Sequence, residues 1–487
     1  MPTRRSLLLG AFFALLAGQL GAAAAASSDV LIRNTRVISG VPGDEPREAV
    51  DVLVRGERID AIGIGLDTAG ARVIDGTGTT VIPGLIDLHT HLLSVPGAFV
   101  RGDSREELDA ARLQTLRIYL AAGVTAVLDT AAGPSTLGGL RGHVRKTNLG
   151  PRIEGLSPFI TPEGGYGTTF DTTTGSFDPI PPIGDDLELV DQLIEVARPL
   201  DPVGVKLTIE NGFGPTPSLA LFSKDQLTYI REATRRHDTR LFVHSMGQPE
   251  FELAMHVQPD VLVHPGLSDS PLTGDMLERI KASGASVIST LAIFDMVMLP
   301  YRKERLEEEW MVRLVPEKQR ATVASDEMSE AMMNRVAELN SPWWVPAWVA
   351  RLVAPYLFTE SAWQEQLDYV SEGLRKMHEA GVNVVMGADM GNWPVFTVML
   401  HGVGSIREME LLEAAGIARA DVLTAATSRA AEVLGRGADL GTLAPGKYAD
   451  LVVLESNPLE VGMKTLREPR YVMSNGEIRT PDGWLKD

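Results

Sequence analysis

The chain has 487 residues, 44% apolar and 22% charged, with no cysteine and a formal net charge of −19 at pH 7. One (β/α)8 barrel needs about 250 residues, so a large core plus a second module is expected. The absence of cysteine excludes disulfides, thiolate metal ligands and a cysteine nucleophile, and the acidic balance disfavours nucleic acid or an anionic membrane as partner.

In chain order, Arg4 and Arg5 precede an apolar run from Leu7 to Leu20 and an alanine run ending at Ala26. That is the layout of a signal peptide over residues 1–26, too short to span a bilayer comfortably, with an uncleaved anchor as the alternative. Thr3-Arg4-Arg5-Ser6-Leu7-Leu8 also resembles a twin-arginine signal, and either export route gives a periplasmic or secreted protein with no membrane association after cleavage. Val30-Leu31-Ile32, Val52-Leu53-Val54 and Ile59 to Ile62 then read as short antiparallel strands. The far end repeats this texture at Asp450 to Leu454 and Tyr471 to Met473, followed by the turn Ser474-Asn475-Gly476. Both ends are therefore expected to build one small β-sandwich, residues 27–82 plus 438–487, around a catalytic domain at 83–437.

Within 83–437, short apolar runs alternate with longer amphipathic stretches, which predicts an α/β fold, a distorted TIM (β/α)8 barrel. The eight strands are expected to start near Leu85, Thr125, Arg152, Val203, Leu241, Val261, Ala285 and Val382. Helices are clearest at Ser223–His237, Gly274–Ser283 and Gln364–Ala380, with Ser223 an N-cap. A helical insertion at about 294–363 breaks the rhythm and carries five of the seven tryptophans. It follows a barrel strand, so it emerges on the face where active sites of this fold lie. It is either a pocket wall, with Trp343 and Trp344 as candidate substrate contacts, or a satellite hairpin whose tryptophans fill its own core or a dimer contact.

Polar residues recur where barrel strands end. In Leu85-Ile86-Asp87-Leu88-His89-Thr90-His91, alternation puts Asp87, His89 and His91 on one face. Lys206 is a lone cation in an apolar strand, where an unpaired ammonium is disfavoured. His244, His264 and Asp389 each end another apolar run. A histidine pair alone also fits two hydrogen-bonded structural imidazoles. Six such residues, His89, His91, Lys206, His244, His264 and Asp389, on five of the eight strands point to a metal centre.

Pro83 to His91, Ala122-Gly123-Val124-Thr125-Ala126-Val127, the strand-ending His244, His264 and Asp389, and Gly441-Thr442-Leu443-Ala444-Pro445-Gly446-Lys447-Tyr448-Ala449-Asp450-Leu451-Val452 resemble the amidohydrolase superfamily. The resemblance runs over nearly the whole chain, closest to imidazolonepropionase-like and prolidase-like secreted members. It implies two divalent metal ions: His89, His91 and Asp389 on one, His244 and His264 on the other, and a carboxylated Lys206 bridging them. Zn2+ suits histidine and oxygen ligands best, although manganese, iron or cobalt fits them too. The implied chemistry is hydrolysis of an amide or peptide-type bond by a metal-bridging hydroxide, with Asp389 as the catalytic proton carrier.

Tyr166 in Glu163-Gly164-Gly165-Tyr166-Gly167 is either an oxyanion donor contacting substrate or a packed loop tyrosine. His401 lies after the last strand and is a candidate substrate or supporting residue, whereas His143, His237, His256 and His378 read as surface or structural residues, and Asp87 as a residue that supports the ligands or the fold instead of binding an ion. The partner expected is a small-molecule or dipeptide-like substrate, with a homo-oligomer compatible. The alternatives are a mononuclear deaminase of a cyclic amidine or aminopurine, a lactonase, or a silent binding protein on the same scaffold. Lys206 and the lack of a glutamate directly after His244 oppose the deaminase.

Overall fold

The structure is a computed structural model that describes residues 29–68, 70–168, 180–212, 219–264, 270–341, 344–391 and 398–486. The expected signal peptide and Trp343 lie outside the described residues. Among those described, no helix is long and apolar enough to cross a membrane.

Five strands come first: β1 (Val30–Val37), β2 (Arg47–Arg55), β3 (Arg58–Gly63), β4 (Arg72–Asp75) and β5 (Thr80–Pro83). The barrel follows with β6 (Leu85–Thr90), β7 (Val124–Asp129), β8 (Arg152–Ile160), β9 (Gly204–Thr208), β10 (Leu241–His244), β11 (Val261–Val263), β12 (Ser286–Ile288) and β13 (Val384–Val385). The C-terminal part returns with β14 (Leu451–Leu454), β15 (Pro469–Ser474) and β16 (Glu477–Arg479).

Both chain ends share one eight-stranded sheet, in the order β16-β15-β14-β5-β1-β2-β3. β1 bends it, because one of its edges pairs with β2 while the other is divided between β4 and β5. Backbone bonds from Ala449 to Glu57 and from Ile59 to Lys447 bring the far ends together. The sheet thus curls around a core that includes Ile32, Val52, Val54, Val81, Leu451 and Val453. Arg152, the first residue of β8, is tied to Asp450 by a 2.7 Å ion pair, anchoring this module to the base of the barrel.

The second sheet runs β13-β12-β11-β10-β9-β8-β7-β6 with parallel pairing throughout. Backbone bonds from Leu88 to Met386 and from Asp389 to His89 join its two edges. Gly387 permits that closure, since a Cβ there would meet Ile288 Cγ2 at 2.5 Å and His89 Cβ at 3.0 Å. The observed strand starts lie within two residues of those expected from the sequence.

Helix ends follow from local chemistry. Ser223 caps Lys224–Arg236 with Gln226 completing a capping box, and Gly284 in the left-handed region ends Gly274–Ser283. The helix expected from Gln364 starts at Glu360, four residues earlier, because Thr359 caps it.

β6 departs from strict alternation. Ile86 and Leu88 pack with Phe242, Val263, Ile288 and Val385 inside the barrel. Asp87 points away from that core and accepts a 2.6 Å bond from Ser405, on the helix Val403–Ala414. The pairing of β6 with β7 slips between Asp87 and Thr90, a bulge that turns His89 back toward the barrel mouth. Asp87 therefore does not share a face with His89, as simple alternation had it.

The insertion after β12 contains the helices Ala292–Met296, Glu309–Leu314, Glu317–Val323, Asp326–Asn340 and Ala347–Leu357. Asp295 binds Arg305 and Arg407, and Arg407 and Arg467 both bind Glu410, so buried charge links the insertion to the barrel and the C-terminal segment. Removing one member of such a network leaves an uncompensated buried charge, at a cost of about 3–5 kcal/mol. Trp310, beneath the Arg467 guanidinium, and Trp363, stacked on Phe358, are core residues; Trp344 and Trp348 are exposed.

Candidate metal centre

Five barrel strands deliver polar side chains to one buried cluster at their C-terminal ends. His89 and His91 place Nε2 at 3.2 and 2.9 Å from Asp389 Oδ1. His264 Nε2 stands 3.7 Å from Asp389 Oδ2, and Lys206 Nζ 3.5 Å from His89 Nε2. The His244 ring is 4.7 Å from that of His264. All except His91 are buried to a few per cent exposure or less. One ligand atom each of His89, His264 and Asp389 lies within 4.8 Å of the others, close enough to share an ion.

Backbone conformation aims two of these groups. His264 and Asp389 adopt φ of 70° and 56°, the left-handed region that non-glycine residues seldom occupy. Leu262 packs toward the outer helices and Val263 inward, so an extended His264 would also point outward. Positive φ turns it into the mouth instead. Strain of this kind, of order 1–3 kcal/mol per residue, is retained where the surrounding structure enforces it, typically at functional sites.

Supporting contacts orient the rings. Thr290 Oγ1 lies 2.9 Å from His264 Nδ1, leaving Nε2 to face Asp389. Glu210 Oε2 lies 3.2 Å from His244 Nε2, leaving Nδ1 as the ring nitrogen available to an ion. Glu210 and Thr290 escaped the sequence reading. Their only signal was position: each is a polar residue just past the end of a barrel strand. Asp129 completes the set, accepting from the amides of Leu92, Ala131 and Ala132 and adding negative charge near Lys206.

The electrostatics favour metal ligation. Burial, then the Lys206 charge, pushes His89 and His244 well below the ordinary imidazole range; for His264 the causes are burial, His244 and Lys206. Neutral imidazole is the form that binds an ion. Burial lowers Lys206 to about 8 against the opposing charges of Asp389 and Asp129. His89 Nδ1 is buried without a hydrogen-bond partner among the described residues, and Nε2 faces Lys206 and Asp389 in the cluster. This donor set fits a divalent cation.

Tyr166 is buried in the loop after β8, its ring stacked on His244 at 5.0 Å and 17°. Burial, with Asp389 and Glu210 nearby, raises its phenol well above the usual range, so it remains a protonated donor. Arg335, on the insertion helix Asp326–Asn340, acts on that phenol in the opposite direction. His401 is buried with Nε2 on Ser94 O at 2.8 Å and Nδ1 at 3.0 Å from Tyr119 OH, so both nitrogens are used within the protein. Glu250, the first glutamate after His244, binds the Asn211 amide at 3.1 Å.

Beneath the cluster, Glu408 is fully buried, accepting from Ser289 Oγ and the Ala292 amide, and burial raises it to about 8. Because its folded pKa is raised, the stability that the protonated carboxyl supplies is complete below about 4.5 and is lost as pH rises through about 8. Glu408→Gln is expected to stabilise the protein by roughly 2–4 kcal/mol near pH 8 and by almost nothing near pH 4.5. Denaturation midpoints across that range test this; an equal shift at both ends would show that the carboxyl is not protonated in the folded state.

Three kinds of likeness bear on this site. A model of the amidohydrolase family matches residues 80–479. An imidazolonepropionase from Symbiobacterium thermophilum is 26% identical over 92% of this chain and 90% of its own length. The dihydroorotase of Streptomyces coelicolor is 36% identical, but over only 21% of this chain and 23% of that enzyme. Among solved structures, a Xaa-Pro dipeptidase with bound methionine aligns with a TM-score of 0.67 at 19% identity, over 93% of this chain and 99% of that one. An ochratoxinase from A. niger aligns at 0.64 and 17% identity, over 93% and 96%. At these identities the structural likenesses speak for the fold.

Proposed function

The chain belongs to the amidohydrolase family, and we propose that it is a metal-dependent hydrolase of carbon–nitrogen bonds whose substrate is an N-acyl amino acid or dipeptide cleaved at the amide. His89, His91 and Asp389 would hold one divalent ion, His244 and His264 a second, and Lys206, carboxylated, would serve both, with Zn2+ the best match to these donors. Bound there, such ions supply a Lewis acid that makes water nucleophilic near neutral pH and polarises the scissile carbonyl.

Lys206 carries this reading. It is 2% exposed, its amine meets no carboxylate within ion-pair distance among the described residues, and its pKa is lowered to about 8. A part-neutral amine at neutral pH can take up carbon dioxide, which turns a costly buried cation into an anionic oxygen donor.

The remaining roles belong to the chain's own groups. Asp389 accepts a proton from the attacking water and returns it to the leaving nitrogen. The protonated Tyr166 donates to the carbonyl oxygen as negative charge develops there. Arg335 supplies a cation for the substrate carboxylate: its Nε is buried without a partner among the described residues, and Nη1 rests 3.3 Å from Glu338. Residues 1–26 would direct export to the periplasm or beyond.

A hydrolysis screen over N-acyl amino acids, Xaa-Pro dipeptides, their amide-blocked forms, lactones and aminopurines tests the reading, on protein recovered from the periplasm with its N-terminus and metal content determined. Cleavage of free-carboxylate amides by a two-metal protein beginning near Ser27 is expected. Arg335→Met should then raise KM about 10- to 100-fold for these substrates with little change for blocked ones, the signature of a lost charge-assisted contact. Ammonia release from a purine by a one-metal protein would overturn the proposal.

A further inference from the structure

Thirteen large apolar side chains are exposed among the described residues, and six of them fall between Trp344 and Leu357. Trp348, Leu352 and Tyr356 follow one another at four-residue spacing along the helix Ala347–Leu357, exposed by 69%, 64% and 80%. Trp344, in the turn just before the helix, is exposed as well, and so are Val353 and Leu357 on the helix itself. The opposite face is already used: Ala350 and Ala354 pack with Ala337 of the helix Asp326–Asn340, and Val345 and Phe358 close that contact. The helix has no acidic residue, and its single cation, Arg351, is paired with Glu338 at 2.8 Å. A helix apolar on both faces belongs in an interior.

We infer that this face is where a second copy of the chain docks, helix against helix, across a two-fold axis. Area supports that occupant. Three largely exposed aromatics with two leucines and a valine amount to roughly 700 Å2 of apolar surface, above the ~300–600 Å2 of the largest patch on a typical monomer. It approaches the ~800 Å2 that each partner contributes to a standard interface. Shape supports it too, because a ridge at i, i+4, i+8 is self-complementary: the same ridge on a symmetry-related helix packs into its grooves at about −50°. A lipid surface fits less well. Helices that lie on membranes carry a lysine- and arginine-rich polar face, whereas this one offers only a paired arginine in a chain of net charge −19. Docking there would brace the helix Asp326–Asn340, which carries Arg335 toward Tyr166, so assembly would steady one wall of the barrel mouth.

Light scattering on the full chain, with the double variant Leu352→Glu, Tyr356→Glu and the control Val312→Glu, tests the inference. The wild type and the control are expected to be dimers or multiples of dimers at micromolar concentration, and the double variant monomeric with unchanged circular dichroism and metal content. Should the double variant fail to fold, Leu352→Ser, Tyr356→Ser must weaken association at least tenfold. A monomeric wild type overturns the proposal, as does a variant that folds and stays assembled. Wild-type monomers that float with phosphatidylcholine vesicles and shift tryptophan emission to the blue would replace it with a lipid-facing helix.

Discussion

Lys206→Met is expected to abolish turnover, by about 10^3-fold or more, while leaving the barrel folded and its melting temperature unchanged or raised. Methionine fills a similar volume in β9 and removes an amine whose charged form is disfavoured there by burial. Replacing a poorly compensated buried charge with an apolar side chain of similar size is often neutral or stabilising. A fall of 10^3 corresponds to about 4 kcal/mol of transition-state stabilisation, the scale at which a metal ion acts on developing charge. Metal analysis beside kinetics separates the causes: the variant should lose at least one equivalent of metal. Retention of the full complement with normal activity would remove Lys206 from the centre.

For Asp389→Asn, a loss of roughly 10^2- to 10^4-fold in kcat is expected, with metal retained more weakly. The carboxylate sits against His89, His91 and His264, so an amide keeps the shape but surrenders both the negative charge and the capacity to accept a proton. The kcat should stay low even when excess metal restores occupancy. A variant that regained full activity on added metal would make Asp389 a ligand without a part in proton transfer.

Local pattern carried much of the architecture. Parallel strands sandwiched between helices are continuous apolar runs, and caps such as Ser223 use side chains a few residues apart, so strand starts and several helix ends were legible from short windows. The strand-ending residues were legible for the same reason, since a barrel converges the C-terminal ends of its strands on one mouth. The helix after the insertion began four residues early because Thr359 outcompeted the expected boundary as a cap.

Period-two alternation failed at β6, where register against β7 decides which way a side chain points. A bulge set by that neighbour moved Asp87 off the face of His89, and no single-strand window contains it. Glu210 on His244, Thr290 on His264 and Arg335 near Tyr166 join residues far apart in the chain, so only the folded barrel selects them. The division of the insertion's tryptophans is likewise tertiary: Trp310 and Trp363 found partners in the core, while Trp344 and Trp348 were left facing outward. The sequence by itself determined the barrel, its strand ends and the kinds of side chain placed there, because these follow from periodicity and composition within one element. Which way His89, His264 and Asp389 face, and what steadies them, was decided by neighbouring strands, because orientation depends on pairing register and on positive-φ turns that packing alone enforces.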